Sequence, residues 1–478
     1  MIKKTLLIFL NVFTLITILA AQSPIERRNR IVYNRIEYFF NLKQTDSIYS
    51  LASENFKNNI DLNSFNSFIE PLYELGQIKN AQVINFSNNT AGYNIEIGET
   101  KSSLHLAVDS NFQYDFLKIE LKPIATRKVD DINSNVNNKN AIDLYIDSIA
   151  KSYLTNANTK SLSIGIYNKN TVNTFFYGQT DAADSSSIPN LETLYEIGSI
   201  SKIFTATLLA NLVENGQIDL EDSIINYLPD SLSENEFLQS ITFKQLANHT
   251  SGLPRLPDNL DTSSNFNKLD PYANYTRKEL FTFLKNFKGN SEPGENYEYS
   301  NLGYGLLGEL ISIITKKPYS DNIKEIISEP LGMPNTVQTV NPKIHRVAKV
   351  YNDLGEEVMQ WNFQALAGAG SLKSTIHDLL RFNQFQFKLP ETSLEKAMML
   401  TREFTYYLPP NTDIGLAWHM NMVDDVIQYW HNGATGGSSS FIGLIPDKKS
   451  AIIVLSNSSI SVDEISENIL RKIATQKD

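Results

Sequence analysis

No cysteine occurs among the 478 residues, which excludes disulfides, a thiolate metal site and a lipidated cysteine near the N-terminus. The six histidines form no His-Glu-x-x-His pair, so no metal is expected, and no other motif asks for a cofactor. No long lysine or arginine run offsets the formal charge of −11, which argues against nucleic acid or an anionic membrane as partner. No Gly-x-Ser-x-Gly elbow and no internal repeat are present. Only one apolar run is long, from Leu6 to Leu19, behind Lys3 and Lys4 and ahead of Ala20 and Ala21. That is the pattern of an export signal over residues 1–21, short of the roughly 20 apolar residues a membrane span needs. Cleavage after Ala21 would leave an exported bacterial protein, periplasmic or secreted, without a membrane span.

The rest of the chain has the material for large cores, and its length predicts two or three domains. Residues 24–125 read as a small α+β domain. Helices are expected over 25–42, near 46–57 and over 62–75, the last with Phe65, Phe68, Leu72 and Leu75 inward. Four strand-like runs follow at 81–86, 92–97, 103–108 and 114–121. Helices followed by a meander resemble the nuclear-transport-factor-2-like (NTF2-like) domains. Residues 126–140 are polar, rich in asparagine and without apolar period, as in a linker. Residues 141–478 read as one large α/β domain. A helix over 142–153 leads into a hairpin, 162–167 with 174–177, and the chain ends with apolar strands at 441–445 and 451–455 and an amphipathic helix. Hairpin strands at both ends with helices between predict an antiparallel sheet flanked by helices, plus a helical lobe.

The stretch YEIGSISKIFTATLLANLVENG, residues 195–216, organises this domain. Ser199 and Lys202 stand three apart at the start of an apolar helix, so amine and hydroxyl share one face. A serine attacks only when a neighbouring base takes its proton, and a desolvated lysine can be that base. The spacing alone is weak: Ser148/Lys151 and Ser393/Lys396 repeat it and read as solvated helix faces. Further motifs lift Ser199 above them. Tyr299-Ser300-Asn301 follows Glu292-Pro293-Gly294 and precedes an apolar helix. A phenol beside a lysine can relay a proton, and an asparagine amide can donate to a substrate carbonyl. Tyr272-Ala273-Asn274 reads as a decoy in a polar loop. His431-Asn432-Gly433 stands just before Gly436-Gly437 and a terminal strand, where glycine lets backbone approach a ligand. His249-Thr250-Ser251-Gly252-Leu253 reads as a structural turn bracing the site.

Taken in order, Gly198-Ser199-Ile-Ser-Lys202, the His249 turn, Tyr299-Ser-Asn301, Pro330-Leu-Gly-Met333, Gly368-Ala-Gly370 with Asp378, and His431-Asn-Gly433 resemble the serine β-lactamase-related family. That family includes class C β-lactamases, penicillin-binding D,D-peptidases, D-aminopeptidases and some esterases. The resemblance covers residues 141–478. It implies Ser199 as acylated nucleophile, Lys202 as its base and Tyr299 as a sharer of proton transfer to the leaving group. Asn301 would hold the substrate amide, and the backbone N–H groups of Ser199 and Ala434 would form the oxyanion hole. The substrate would be a small peptide, amide or ester. A catalytically silent binding or sensor protein is the alternative from another class, and the oligomeric state is not readable.

One departure matters. Class C β-lactamases usually carry Lys-Thr-Gly where this chain has His431-Asn432-Gly433. The histidine favours a peptidase or esterase over a β-lactamase. With a titration near about 6.5, it should hold a substrate carboxylate less well as pH rises.

Overall fold

A computed structural model of the chain describes residues 24–87, 90–98, 100–121, 126–134, 136, 140–262, 265–289, 291–423 and 425–475. The segment expected as an export signal lies outside them. Among the described residues, no helix is long and apolar enough to cross a membrane. The chain divides into two compact units, Met1–Ala125 and Thr126–Asp478.

The first unit packs helices against a four-stranded antiparallel meander, Ile78–Ser87, Thr90–Ile97, Thr100–Val108 and Tyr114–Leu121. Its core gathers Val32, Tyr33, Ile36 and Phe40 with Phe65, Ile69, Tyr93, Leu104 and Tyr114. The helix expected near 46–57 is two shorter ones, Thr45–Ser50 and Glu54–Asn59. Leu51 O accepts the Tyr114 amide at the break, and Ser53 Oγ caps the second helix through Phe56 N at 3.1 Å. The helix expected over 62–75 stops at Ile69 and tightens into a 3₁₀ turn at Pro71. That change of period leaves Leu75 exposed, and Phe68, still within the α-helix, is exposed too, where inward positions were expected.

The second unit is three-layered. Its central sheet has eight antiparallel strands: β1 (Ser161–Asn168), β2 (Thr171–Gly178), β3 (Tyr406–Leu408), β4 (Thr412–Ile414), β5 (His419–Val423), β6 (Val426–Ala434), β7 (Ser439–Ile445) and β8 (Ser450–Ser456). Their order is β3-β4-β5-β6-β7-β8-β1-β2, so the two hairpins from opposite ends of the unit meet at β8 and β1. Every residue of β7 and β8 is buried, because both faces of the sheet are covered. Ile452 and Val454 point into one core with α1 (Ala141–Leu154) and the terminal helix Asp463–Ala474. Ala451, Ile453 and Leu455 point into the other core, shared with α2 (Ser201–Glu214) and the helical lobe. Helix α2 has no separate polar face: residues 201–210 and Leu212 are all buried, the polar Ser201, Lys202, Thr205 and Thr207 among them.

The stretch expected as a linker lies, in its described part, on this second unit. Arg127 N donates to Thr155 O at 2.7 Å, Ser134 bridges Tyr177, and Ile132 is buried beside Ile146 and Tyr177. A chain beginning at Thr126 is therefore expected to fold alone and unfold in one transition. A chain beginning at Asn140 lacks Ile132, whose burial contributes about 1.5–3 kcal/mol. Its urea midpoint should be lower by the corresponding amount, and identical midpoints would show that 126–139 adds nothing to the core.

Candidate active site

Ser199 lies in a single 3₁₀ turn, Gly198–Ile200, between the strand Thr193–Glu196 and α2. Gly198 has φ 48°, a left-handed backbone that glycine adopts without strain. A Cβ there would stand 2.8 Å from both N and O of Ala434. Across the same contact, a Cβ on Gly433 would stand 2.1 Å from Ile197 O. The end of β6 and the Ser199 turn thus touch backbone to backbone, which only glycine at 198 and 433 permits.

Lys202 is fully buried. Its Nζ lies 2.6 Å from Ala369 O, 2.8 Å from Asn301 Oδ1 and 3.1 Å from Ser199 Oγ. Burial holds its pKa well below the usual lysine value, and the positive charge of Arg255 lowers it further. The two shorter contacts go to carbonyl oxygens, which can only accept. When the amine is neutral, these two contacts take its N–H groups and leave its lone pair for the Ser199 hydroxyl. The rival pairs behave as expected of solvated faces: Ser148 and Ser393 are exposed, and Lys151 pairs with Asp147 at 2.9 Å.

Tyr299 hydrogen-bonds to Ser199. Burial pushes its phenol up to about 12, and the Ser199 bond and the Arg255 charge temper that rise. Its ring centroid stands 4.8 Å from Lys202 Nζ. The Tyr299 segment precedes α3 (Asn301–Thr315), which Ser300 caps through Gly303 N at 2.8 Å. His249 holds this segment in place, as the structural reading of its turn expected. Its Nδ1 accepts the Ser300 amide at 3.0 Å, and its ring lies 4.3 Å from that of Tyr299. Burial and then Lys202 keep its pKa well below the usual histidine value, so the ring is neutral.

Asn301 gives its oxygen to Lys202, which turns its Nδ2 toward the cleft, 3.4 Å from Tyr272 Oη. Tyr272, read in sequence as part of a decoy, is therefore in the site. Its ring stacks on Phe363 at 4.6 Å and meets Trp361 edge-on at 5.4 Å. Asp270 fixes that wall by accepting Asn362 N at 2.7 Å and Asn362 Nδ2 at 2.8 Å. Beneath the wall, buried Glu196 accepts from Trp361 N and from Thr435 Oγ1, each at 2.6 Å. Lys373 lies 4.0 Å from that carboxylate and donates to Trp361 O at 2.8 Å. Burial raises the carboxyl and lowers the amine, and their mutual attraction opposes both shifts. Glu196 and Lys373 carried no motif, and Ala369 contributes only a carbonyl. The Gly368-Ala-Gly370 motif marked that place without its role.

His431 is on β6, facing the site and buried, with its ring 6.3 Å from that of Tyr299. Its Nδ1 is 2.6 Å from Asn432 O. A carbonyl only accepts, so Nδ1 carries the proton and buried Nε2, without a partner, presents a lone pair. Burial, with His419 and Lys202 nearby, holds its pKa well below 6.5. The titration near neutrality expected from the residue type is absent here, because the ring is desolvated among other basic groups. His419, stacked on Trp430 at 4.7 Å, is likewise pushed down to about 4 by burial. Among the described residues, no cluster of His, Cys, Asp or Glu could hold a metal ion.

A half-buried serine, a buried lysine on the next helical turn and a tyrosine from the lobe, set at the edge of an antiparallel sheet, define the serine β-lactamase/transpeptidase class. The chain belongs to the Beta-lactamase family, whose model matches residues 146–476. It is 29% identical over 310 residues to Protein flp of Staphylococcus aureus (strain MW2), covering 63% of this chain and 60% of that protein. It is 27% identical over 303 residues to the D-alanyl-D-alanine-carboxypeptidase/endopeptidase AmpH of Escherichia coli (strain K12), covering 60% and 76%. Among solved structures, the beta-lactamase/D-alanine carboxypeptidase of Pseudomonas syringae superposes with a TM-score of 0.63 at 24% identity, over 71% of this chain and all of that one. That superposition carries the fold.

Proposed function

We propose that this chain is an exported serine hydrolase that forms an acyl-enzyme at Ser199 with a small peptide, amide or ester. The observation that carries the reading is the fully buried Lys202 Nζ, 3.1 Å from Ser199 Oγ and held by Asn301 Oδ1 and Ala369 O, with burial lowering its pKa toward that of a base. Such a base takes the hydroxyl proton as the oxygen attacks. The amides of Ser199 and Ala434, on touching backbones, are the donors proposed for the developing oxyanion, and Asn301 Nδ2 for the substrate carbonyl. The third motif favours a peptidase or esterase. Neutral His431 gives no charge to a β-lactam carboxylate. The match to AmpH, named as a carboxypeptidase and endopeptidase, supports the peptidase side, with weak β-lactam turnover at most. Export rests on the pattern of residues 1–21, and the NTF2-like reading of the first unit on its element order.

A fluorophosphonate and a labelled penicillin test the acyl-enzyme. Both should attach to Ser199, the penicillin slowly, and Ser199→Ala should lose labelling and turnover with an unchanged melting curve. Labelling of Ser199→Ala at the wild-type rate would place the nucleophile elsewhere.

A further inference from the structure

Arg255 follows Pro254 in the loop beyond the His249 turn, and its side chain is exposed. Its guanidinium carbon stands 5.2 Å from the centroid of the Tyr299 ring, the ring that also faces Lys202. The loop is tied to the catalytic segment on both sides of the side chain. Arg255 O accepts from Asn301 N at 3.0 Å and from Leu302 N at 3.2 Å, and Pro254 O accepts from Ser300 Oγ at 2.7 Å. The backbone from which the guanidinium projects is therefore fixed beside Tyr299 and Asn301.

The other cations near the cleft are committed. Lys202 is buried against carbonyl oxygens, and Lys373 is held by Glu196 and Trp361 O. The strand wall offers only neutral histidine. Among the described residues, no carboxylate pairs with Arg255. An exposed guanidinium over the ring of a reacting group, on an anchored backbone and without a carboxylate partner, is a ready partner for a planar anion. Its charge already reaches the site: after burial itself, it is the influence that depresses Lys202.

We propose that Arg255 is a substrate-binding residue that selects substrates carrying a carboxylate, received on the helical-lobe wall beside Tyr299 and not at the third motif. The proposal rests on the acyl-enzyme reading and adds to it a substrate class, an anionic peptide or ester. It also limits what neutral His431 excludes. A rigid bicyclic β-lactam, with its carboxylate directed to the strand wall, finds no charge there, whereas a flexible anionic peptide can turn to Arg255.

Protection of Ser199 from a fluorophosphonate measures binding without requiring turnover. Three dipeptides serve as protectors: N-acetyl-D-alanyl-D-alanine, its neutral C-terminal amide, and the N-succinyl counterpart of that amide, so that the shared neutral compound pairs with an anion at either end. Within at least one acid/neutral pair, the wild type should favour the anionic member. Arg255→Gln should collapse that ratio by about 10- to 100-fold, the range of a charge-assisted bond, and Arg255→Lys should restore part of it. The wild-type ratio should also shrink as salt is raised. Using a ratio removes the field Arg255 exerts on Lys202, which affects all three compounds alike. No anionic preference in the wild type, or a ratio unmoved by Arg255→Gln, overturns the proposal while labelling at Ser199 still upholds the hydrolase reading. Absence of labelling overturns both.

Discussion

Lys202→Met is expected to reduce kcat/KM on every acyl substrate by about 10²- to 10⁴-fold, the range over which general-base catalysis acts. Methionine fills a similar volume but offers no lone pair to the Ser199 proton. In the wild type, activity should disappear as pH falls, because protonation of Lys202 removes the base. The midpoint of that acid limb should lie well below the usual lysine range, following the direction in which burial and Arg255 move this amine. Stability should move the opposite way on mutation. Between the depressed folded pKa and the unfolded value of about 10.4, the unfolded chain binds the proton that the folded chain does not. The wild type therefore gains stability as pH rises through that window, and at neutral pH Lys202 costs the fold stability. Lys202→Met should thus melt no lower than wild type at pH 7 while losing turnover. Near-normal turnover, or an acid limb that survives the substitution, would show that Lys202 is not the base.

How much of this site can be read from sequence depends on how local its geometry is. Ser199 and Lys202 are legible because three residues of helical rise bring their side chains together. Tyr299 and Asn301 are nearly a hundred residues further on, and the order of motifs, not any spacing, connects them to Lys202. Ala369 O is not legible, since a backbone carbonyl has no residue-type signature. Tyr272 reads as a decoy in sequence because the two polar loops that bury it, joined through Asp270 and Asn362, have no periodicity. His431 shows a second limit: sequence supplies the residue type but not the desolvation that removes its charge. In the fold, β7 and β8 stand out as unbroken apolar runs because both their faces are covered. Leu75 departs from the expected inward position because Pro71 changes the helical period beneath a continuing apolar pattern.

Tyr299→Phe separates the two halves of the proton's path. The phenol, pushed up to about 12, keeps its proton across the whole working range. It is therefore poorly suited to take the first proton and well placed, through its bond to Ser199, to pass one to the departing group. Removing the hydroxyl should matter in proportion to how much the leaving group needs that proton. An amine leaving from a peptide cannot depart as an anion, so peptide or amide turnover should fall by about 10²- to 10⁴-fold. An activated phenyl ester, whose leaving group departs as a stabilised phenolate, should retain turnover much closer to wild type. The fold should tolerate the change, because His249 and Ser300 hold the segment without the phenolic oxygen. Rates for a matched amide and activated ester, each on wild type and Tyr299→Phe, give the comparison. Equal losses on both would mean that Tyr299 acts before the leaving group departs, as part of the base that activates Ser199. Losses confined to the amide would leave Lys202 as the base and Tyr299 as the proton carrier.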